Sequence, residues 1–159
     1  MFIFKSITTK NLSNKNIKDI CRLKDSYWNY GLISQLNYFK KNIKRDDIHN
    51  CYFFGDKLIG YTLLKKASYT MNKIKINFLH FDTLVININF QNKKIGSKLM
   101  SFNNKIIKQS KLISFLICNK EMIRFYKKNF WKIANKNYKK INIYKMGLEL
   151  MVFNEDQVK

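Results

Sequence analysis

The sequence predicts a mixed α/β fold: a single domain over residues 1–159, with seven strands and four helices in the order β-α-α-β-β-β-α-β-α-β-β. Three observations carry this expectation. The chain has 159 residues, 46% of them apolar and 15% aromatic, and a chain of that length buries roughly two-thirds of its unfolded surface around one core. Its apolar residues alternate in some segments and recur with the helical period of about 3.6 in others. Its longest β-rich run, KINFLHFDTLVINI, leads through a polar turn straight into a helical one.

Phe2 to Ile7 reads as the first strand. NLSNKNIKDICRLKDSYWNYG follows as a helix, with Ile17, Ile20, Cys21, Lys24 and Trp28 on one stripe, Ser13 as its N-cap and Gly31 as its stop. A second, shorter helix is expected through SQLNYFKKNIKRDD. CYFF, Gly55-Asp56-Lys57 and LIGYTLLKK then form strand, tight turn and strand, the glycine supplying a positive φ. KINFLHFDTLVINI, aromatic and β-branched throughout, is expected as a central strand buried on both faces. QNKKIGSKLMSFNNKIIKQS reads as a helix with Ile95, Leu99, Phe102 and Ile106 turned inward, and KLISFLIC as a short apolar strand. NKEMIRFYKKNFW is a helix with Met122, Ile123, Phe125 and Tyr126 as inner residues, and WKIANKNYKKINIYKMGLELMVF supplies two closing strands.

Lys and Arg number 31 against 10 Asp and Glu, a net charge of +21. That sign restricts partners to anions and neutral groups. It does not by itself select nucleic acid, because the missing prolines and the crowding of Lys, Asn and Ile are also what A/T-rich codon usage produces. The surplus is concentrated: between Thr83 and Leu148 fifteen Lys and Arg accompany one acid, Glu121. Cys21, Cys51 and Cys118 form neither a disulfide framework nor a zinc site of the usual spacing, so a reducing cytoplasm and no metal are expected. MFIFKSITTK carries Lys5 inside its apolar run and resembles neither a secretory signal nor a lipidation site. No apolar run approaches the roughly 20 residues that span a bilayer, so a soluble protein without a membrane partner, monomer or homodimer, is expected.

The chemistry is expected where the long strand enters the helix, between Val85 and Met100. A helix N-terminus gathers free backbone N–H groups with the positive end of the helix dipole behind them, a setting that suits a phosphate. Gln91, Asn92, Lys93, Lys94, Ile95, Gly96 and Ser97 occupy the turn, where one glycine allows close approach and two lysines add charge. Ser97-Lys98 lacks the rest of a P-loop.

VININFQNKKIGSKLM resembles the acetyl-CoA pyrophosphate loop of the GNAT superfamily of N-acetyltransferases, Q/R-x-x-G-x-G/A, read here as Gln91-Asn92-Lys93-Lys94-Ile95-Gly96. LICNKEMIRFYKKNFW is similar to the family's second segment, in which an Asn ending the fifth strand, here Asn119, precedes by seven positions a Tyr on the fourth helix, here Tyr126. The element order also matches, so the resemblance spans nearly the whole chain, with its specific motifs between about 80 and 131.

The resemblance implies a twisted, largely antiparallel mixed sheet, acetyl-CoA (coenzyme A) as acyl donor, and direct acetyl transfer to a primary amine of a small molecule or peptide. The main chain of Ile86, Asn87 and Ile88 would hold the pantetheine arm and supply an oxyanion donor, and the amides from Gln91 to Lys98 would cradle the pyrophosphate. Tyr126, a phenol with an ordinary pKa of about 10, would be the acid for the departing thiolate. The position where many members keep a glutamate base falls on His80. Asp82 shares its strand face, placed to orient the imidazole or bind a cationic substrate. His49 reads as a surface residue in a polar loop and Cys118 as a buried strand cysteine.

The chain departs from the family pattern twice, with Lys94 at the first loop glycine and Phe130 at the glycine that usually follows the Tyr-bearing helix. Where the backbone is left-handed, a Cβ costs about 1–2 kcal/mol. Two further readings stay open: acetylation of an RNA-linked amine such as aminoacyl-tRNA, for which the sequence offers only charge, and a non-catalytic acyl-CoA or nucleic-acid binding module. Tyr27, Trp28, Tyr30, Tyr38 and Tyr138 are candidates for either pocket or core, and the amine itself is not identified.

Overall fold

The computed structural model describes residues 1–71 and 73–157. Its elements follow the expected order: β1 Phe2–Thr8, α1 Asn14–Trp28, α2 Leu32–Asn42, β2 Ile48–Phe54, β3 Lys57–Met71, β4 Ile74–Ile86, α3 Ile95–Ser110, β5 Ile113–Cys118, α4 Ile123–Lys128, β6 Lys132–Ile133 and β7 Glu149–Phe153. Among the described residues these seven strands make one mixed sheet, ordered β1-β2-β3-β4-β5-β7-β6, in which β4 and β5 are parallel. The chain divides into two compact units, residues 1–65 with 83–103 and residues 66–82 with 104–159, so that β3, β4 and α3 each run through both.

In the first unit the Ser13 hydroxyl accepts the Asn16 N–H at 3.1 Å and starts α1. Ile20, Cys21 and Leu23 on its inner face pack with Cys51, Phe53 and Leu63. The helix stops earlier than expected, at Asn29, whose φ of 49° takes the left-handed turn that asparagine tolerates. Gly31 instead opens α2, held by its N–H to the Asp25 carboxylate at 2.6 Å. That second helix ends at Asn42 rather than continuing through IKRDD, because the Asp47 carboxylate accepts the Lys44 N–H at 2.7 Å and turns the chain toward β2.

β2 consequently begins three residues before CYFF, which corrects the reading of His49: it lies in a strand and is 0% exposed. On α3, Ile95 and Leu99 face inward as expected, but Phe102 is only half-buried and Asn103 is fully buried. The Asn103 carbonyl oxygen accepts from the Asn50 amide and the Thr62 hydroxyl, both at 2.8 Å, and so fixes the helix over β2 and β3. A stripe counted from apolar residues alone misses it.

In the second unit Phe78, Ile113, Phe115, Leu150 and Val152 form the core of one sheet face. Phe81, Tyr126, Trp131 and Phe153 pack ring against ring on the other. β4 is thus not buried on both faces throughout. Phe78 and Leu79 are fully buried, while His80 and Asp82, like Leu84 and Ile86 of the first unit, are only partly buried. Met122, expected inside, is 39% exposed because residues Lys120–Met122 form a separate 3₁₀ turn before the short α4. The Trp131 indole N–H donates to the Asn104 side chain at 3.0 Å, and the Asn104 amide donates to the Asn129 carbonyl at 2.8 Å.

Phe130 ends α4 with a φ of 69°, its ring 80% exposed. The strain therefore has little side-chain burial to offset it. Phe130→Gly is expected to stabilise the protein by about 1 kcal/mol after glycine's greater unfolded-state entropy is subtracted, raising Tm by roughly 3 °C in a thermal melt.

Candidate active site

The turn after β4 is built from its own backbone and short polar side chains. Asn87 donates its N–H to the Ile59 carbonyl at 2.8 Å, across a bulge at which Tyr52 pairs with Gly60 and Phe53 with Leu58. Successive amides of a strand point to opposite sides. With Asn87 committed to β3, the Ile86 N–H points away from β3, and Ile88 opens the 3₁₀ turn Ile88–Phe90 that Asn87 caps. The Asn87 side chain accepts the Asn89 N–H at 3.1 Å, Gln91 donates its side-chain amide to the Ile86 carbonyl at 3.2 Å, and the Lys93 ammonium reaches the Asn89 carbonyl at 3.1 Å. Asn92 and Lys94 turn the chain with φ of 60° and 58°, and Lys98 N–H makes the first α3 bond back to the Lys94 carbonyl.

The Ile95, Gly96 and Ser97 amides therefore precede the helical ladder at the positive end of a 16-residue helix. No acid stands in its first turn, while Lys93, Lys94 and Lys98 are exposed around it. An anion fits this arrangement of donors and charge. Gly60 contributes by absence: a Cβ there would lie 3.0 Å from the end of the Ile86 side chain and 3.1 Å from that of Leu99. A glycine inside a strand run is the sequence signal that marks such a close approach. In the same unit Lys15, Asp19, Arg22, Asp56, Lys57 and Asn87 line a groove of about 330 Å³.

In the second unit Tyr126 is 8% exposed and meets Phe81 edge-on, with ring centroids 6.3 Å apart. Burial, and then the neighbouring Cys118 thiol, push its phenol well above the ordinary range. Cys118 is itself buried and raised to about 11, by desolvation first and Glu149 second, so it is a protonated thiol at neutral pH. Asn119 is exposed, and its carbonyl accepts the Met122 N–H at 3.0 Å.

His80 and Asp82 are brought together: Nδ1 and the carboxylate oxygen stand 3.9 Å apart, with side chains 17% and 18% exposed. By strand alternation they share the Phe78 face, whereas Phe81 between them points to Tyr126. Within this unit the imidazole–carboxylate pair and the phenol thus lie on opposite faces of the sheet. The aromatic candidates disperse. Tyr27 and Tyr30 are exposed, Trp28 packs at the first core, Tyr38 lies under the Lys24 ammonium at 4.8 Å, and Tyr138 packs on Phe115 at 5.0 Å. Among the described residues no group of three His, Cys, Asp or Glu is placed to hold a metal, and no helix is long and apolar enough to cross a membrane.

A family described as "Acetyltransferase (GNAT) family" matches residues 17–130, more than half of the chain. No curated protein matches by sequence. Among solved structures, Escherichia coli ElaA superposes with a TM-score of 0.70 at 12% identity, covering 96% of this chain and 99% of its own. An acyl-CoA N-acyltransferase from Pseudomonas aeruginosa does so with a TM-score of 0.70 at 10% identity over 96% and 99%. The PaiA N-acetyltransferase of Thermoplasma acidophilum, solved in complex with coenzyme A, follows with a TM-score of 0.61 at 17% identity over 94% and 98%. At these identities the likeness is one of fold.

Proposed function

Since the chain belongs to the GNAT acetyltransferase family, we propose that it is an N-acetyltransferase that moves an acetyl group from acetyl-CoA to a primary amine by direct attack. The observation that carries the reading is the turn from Gln91 to Lys98, where free amides, a helix dipole and three lysines converge with no acid in the first helical turn. Coenzyme A bound to PaiA supports the same cofactor here. When bound, acetyl-CoA supplies an activated thioester. The amides of Ile95, Gly96 and Ser97 hold its pyrophosphate, with Gln91, Asn92, Lys93, Lys94 and Lys98 completing the cradle. The Ile86 amide at the strand end and the Ile88 amide opening the 3₁₀ turn are the donors for the arm and for a developing oxyanion, because the Asn87 amide already serves Ile59.

β4 pairs with β5 from Phe78 to His80 and then parts from it, so a thioester lying between the parted strands is open to both sheet faces: His80 takes the ammonium proton through water from one face, with Asp82 orienting its ring. Tyr126 gives its proton to the departing thiolate, and Asn119 stands at the strand end seven residues before it. His80→Ala is expected to lower kcat by about 10²-fold with little change in acetyl-CoA affinity, read from amine-dependent release of free coenzyme A thiol. Lys94 keeps a strained left-handed backbone because its ammonium pairs with the pyrophosphate. Lys94→Gly therefore relieves strain and loses affinity for acetyl-CoA in calorimetry, whereas unchanged or tighter binding would refute that role. A panel of polyamines, aminoglycosides, peptide N-termini and charged tRNA identifies the acceptor. Saturable acetyl-CoA binding without transfer to any of them would mark a binding module instead.

A further inference from the structure

The first unit carries a row of rings that acetyl transfer does not use. Phe102, Phe4, Tyr52, Phe2, Phe54 and Phe90 follow one another with centroids 4.8, 3.9, 5.6, 4.8 and 5.9 Å apart. The inner three are packed between α3 and the outermost strand pair, and Phe4 and Tyr52 are stacked within 4° of parallel. The outer end opens to solvent, with Phe2 and Phe54 49% and 46% exposed. Lysines from three separate elements stand over that end. Lys98 Nζ is 5.8 Å from the Phe2 centroid, and Lys57 and Lys93 are 6.0 and 5.7 Å from that of Phe90. Asp56, the acid in the β2–β3 turn, is followed directly by Lys57.

We infer that this row is a binding surface for single-stranded nucleic acid, with bases stacking on Phe2 and Phe54 and phosphates pairing with Lys57 and, when acetyl-CoA does not hold them, with Lys93 and Lys98, the two lysines this surface shares with the proposed cofactor cradle. Two half-exposed rings 4.8 Å apart, with an ammonium beside Phe2 and two more beside the neighbouring half-buried Phe90, match a ligand that alternates flat apolar groups with anionic links. A duplex hides its base faces and leaves the rings unused. A lipid surface calls for apolar tips that project beyond the cations, whereas here Phe2 and Phe54 are half-covered and the Lys98 ammonium stands level with Phe2, 5.8 Å from its centroid.

Fluorescence anisotropy with a labelled oligouridylate of roughly 15 nucleotides tests this. Saturable binding is expected, about tenfold tighter than to an RNA duplex of equal length. Phe54→Leu keeps apolar bulk and loses the ring, so it weakens binding by about fivefold or more at an unchanged thermal midpoint, while Phe54→Tyr binds like the wild type. Lys57→Glu weakens binding and flattens the slope of log affinity against log salt by about 0.7 or more, an effect that Lys41→Glu on the exposed face of α2 does not reproduce. Equal affinity for single strand and duplex, equal affinity of Phe54→Leu and Phe54→Tyr, or equal effects of the two lysine variants would overturn the inference. So would capture by phosphatidylserine vesicles without binding of the oligonucleotide.

Discussion

Tyr126→Phe is expected to reduce kcat for amine acetylation by about 10²- to 10³-fold while acetyl-CoA affinity stays nearly constant. The substitution removes one oxygen from a ring that is 8% exposed and edge-on to Phe81, so packing is preserved and the lost rate reports chemistry. Its phenol is raised above the ordinary range by burial and by Cys118. The group therefore stays protonated across the pH range in which an amine must be neutral to attack, and no basic limb below about pH 10 arises from it. A better thiol leaving group needs less proton donation, so the defect should shrink with an acyl donor whose thiol has a lower pKa. A Tyr126→Phe enzyme with wild-type kcat would remove the acid and leave the tyrosine as core.

Acidification from pH 6.5 to 4 is expected to cost the fold about 3 kcal/mol through His49 alone. The side chain is fully buried, held between the Thr9 hydroxyl at 2.8 Å and the Tyr61 hydroxyl at 2.7 Å, with the Phe39 ring stacked on it at 5.6 Å. Desolvation first, and the Lys24 charge second, lower its pKa from 6.5 to about 4. Between those values the unfolded chain binds a proton that the folded one refuses. Stability present above pH 6.5 is thus lost progressively as pH falls, with no further loss from this group below about 4. His49→Gln, which does not titrate, should unfold in urea with a midpoint that varies much less over this range, at a cost of about 1–2 kcal/mol at pH 7 for the imperfect replacement. An identical pH dependence in wild type and variant would show that other groups set the acid limit.

The element order, the turn at Gly55 and the polar turn after β4 were readable because glycine, polar clusters and changes of apolar period are local signals. What escaped was polar and buried. His49 reads as loop when strand β2 is started at the first apolar run, and only its partners Thr9 and Tyr61, distant in sequence, make its burial tolerable. Asn103 was invisible to an apolar stripe for the same reason, since its partners Asn50 and Thr62 come from other strands. Lys94 and Phe130 were suspect as residues with a Cβ at glycine positions, and both are left-handed, with φ of 58° and 69°. Sequence spacing placed His80 and Asp82 on one strand face. It could not place Tyr126 behind the other, because that depends on which core Phe81 joins.

The central claim is that this chain uses acetyl-CoA to acetylate an amine. The most direct measurement is mass spectrometry of the acceptor panel after incubation with acetyl-CoA, alongside the free thiol released. The account predicts an acceptor that gains one acetyl group per coenzyme A thiol freed, with the yield strongly reduced in Tyr126→Phe. Failure of the protein to bind acetyl-CoA, or thiol release that does not depend on any amine, would contradict it.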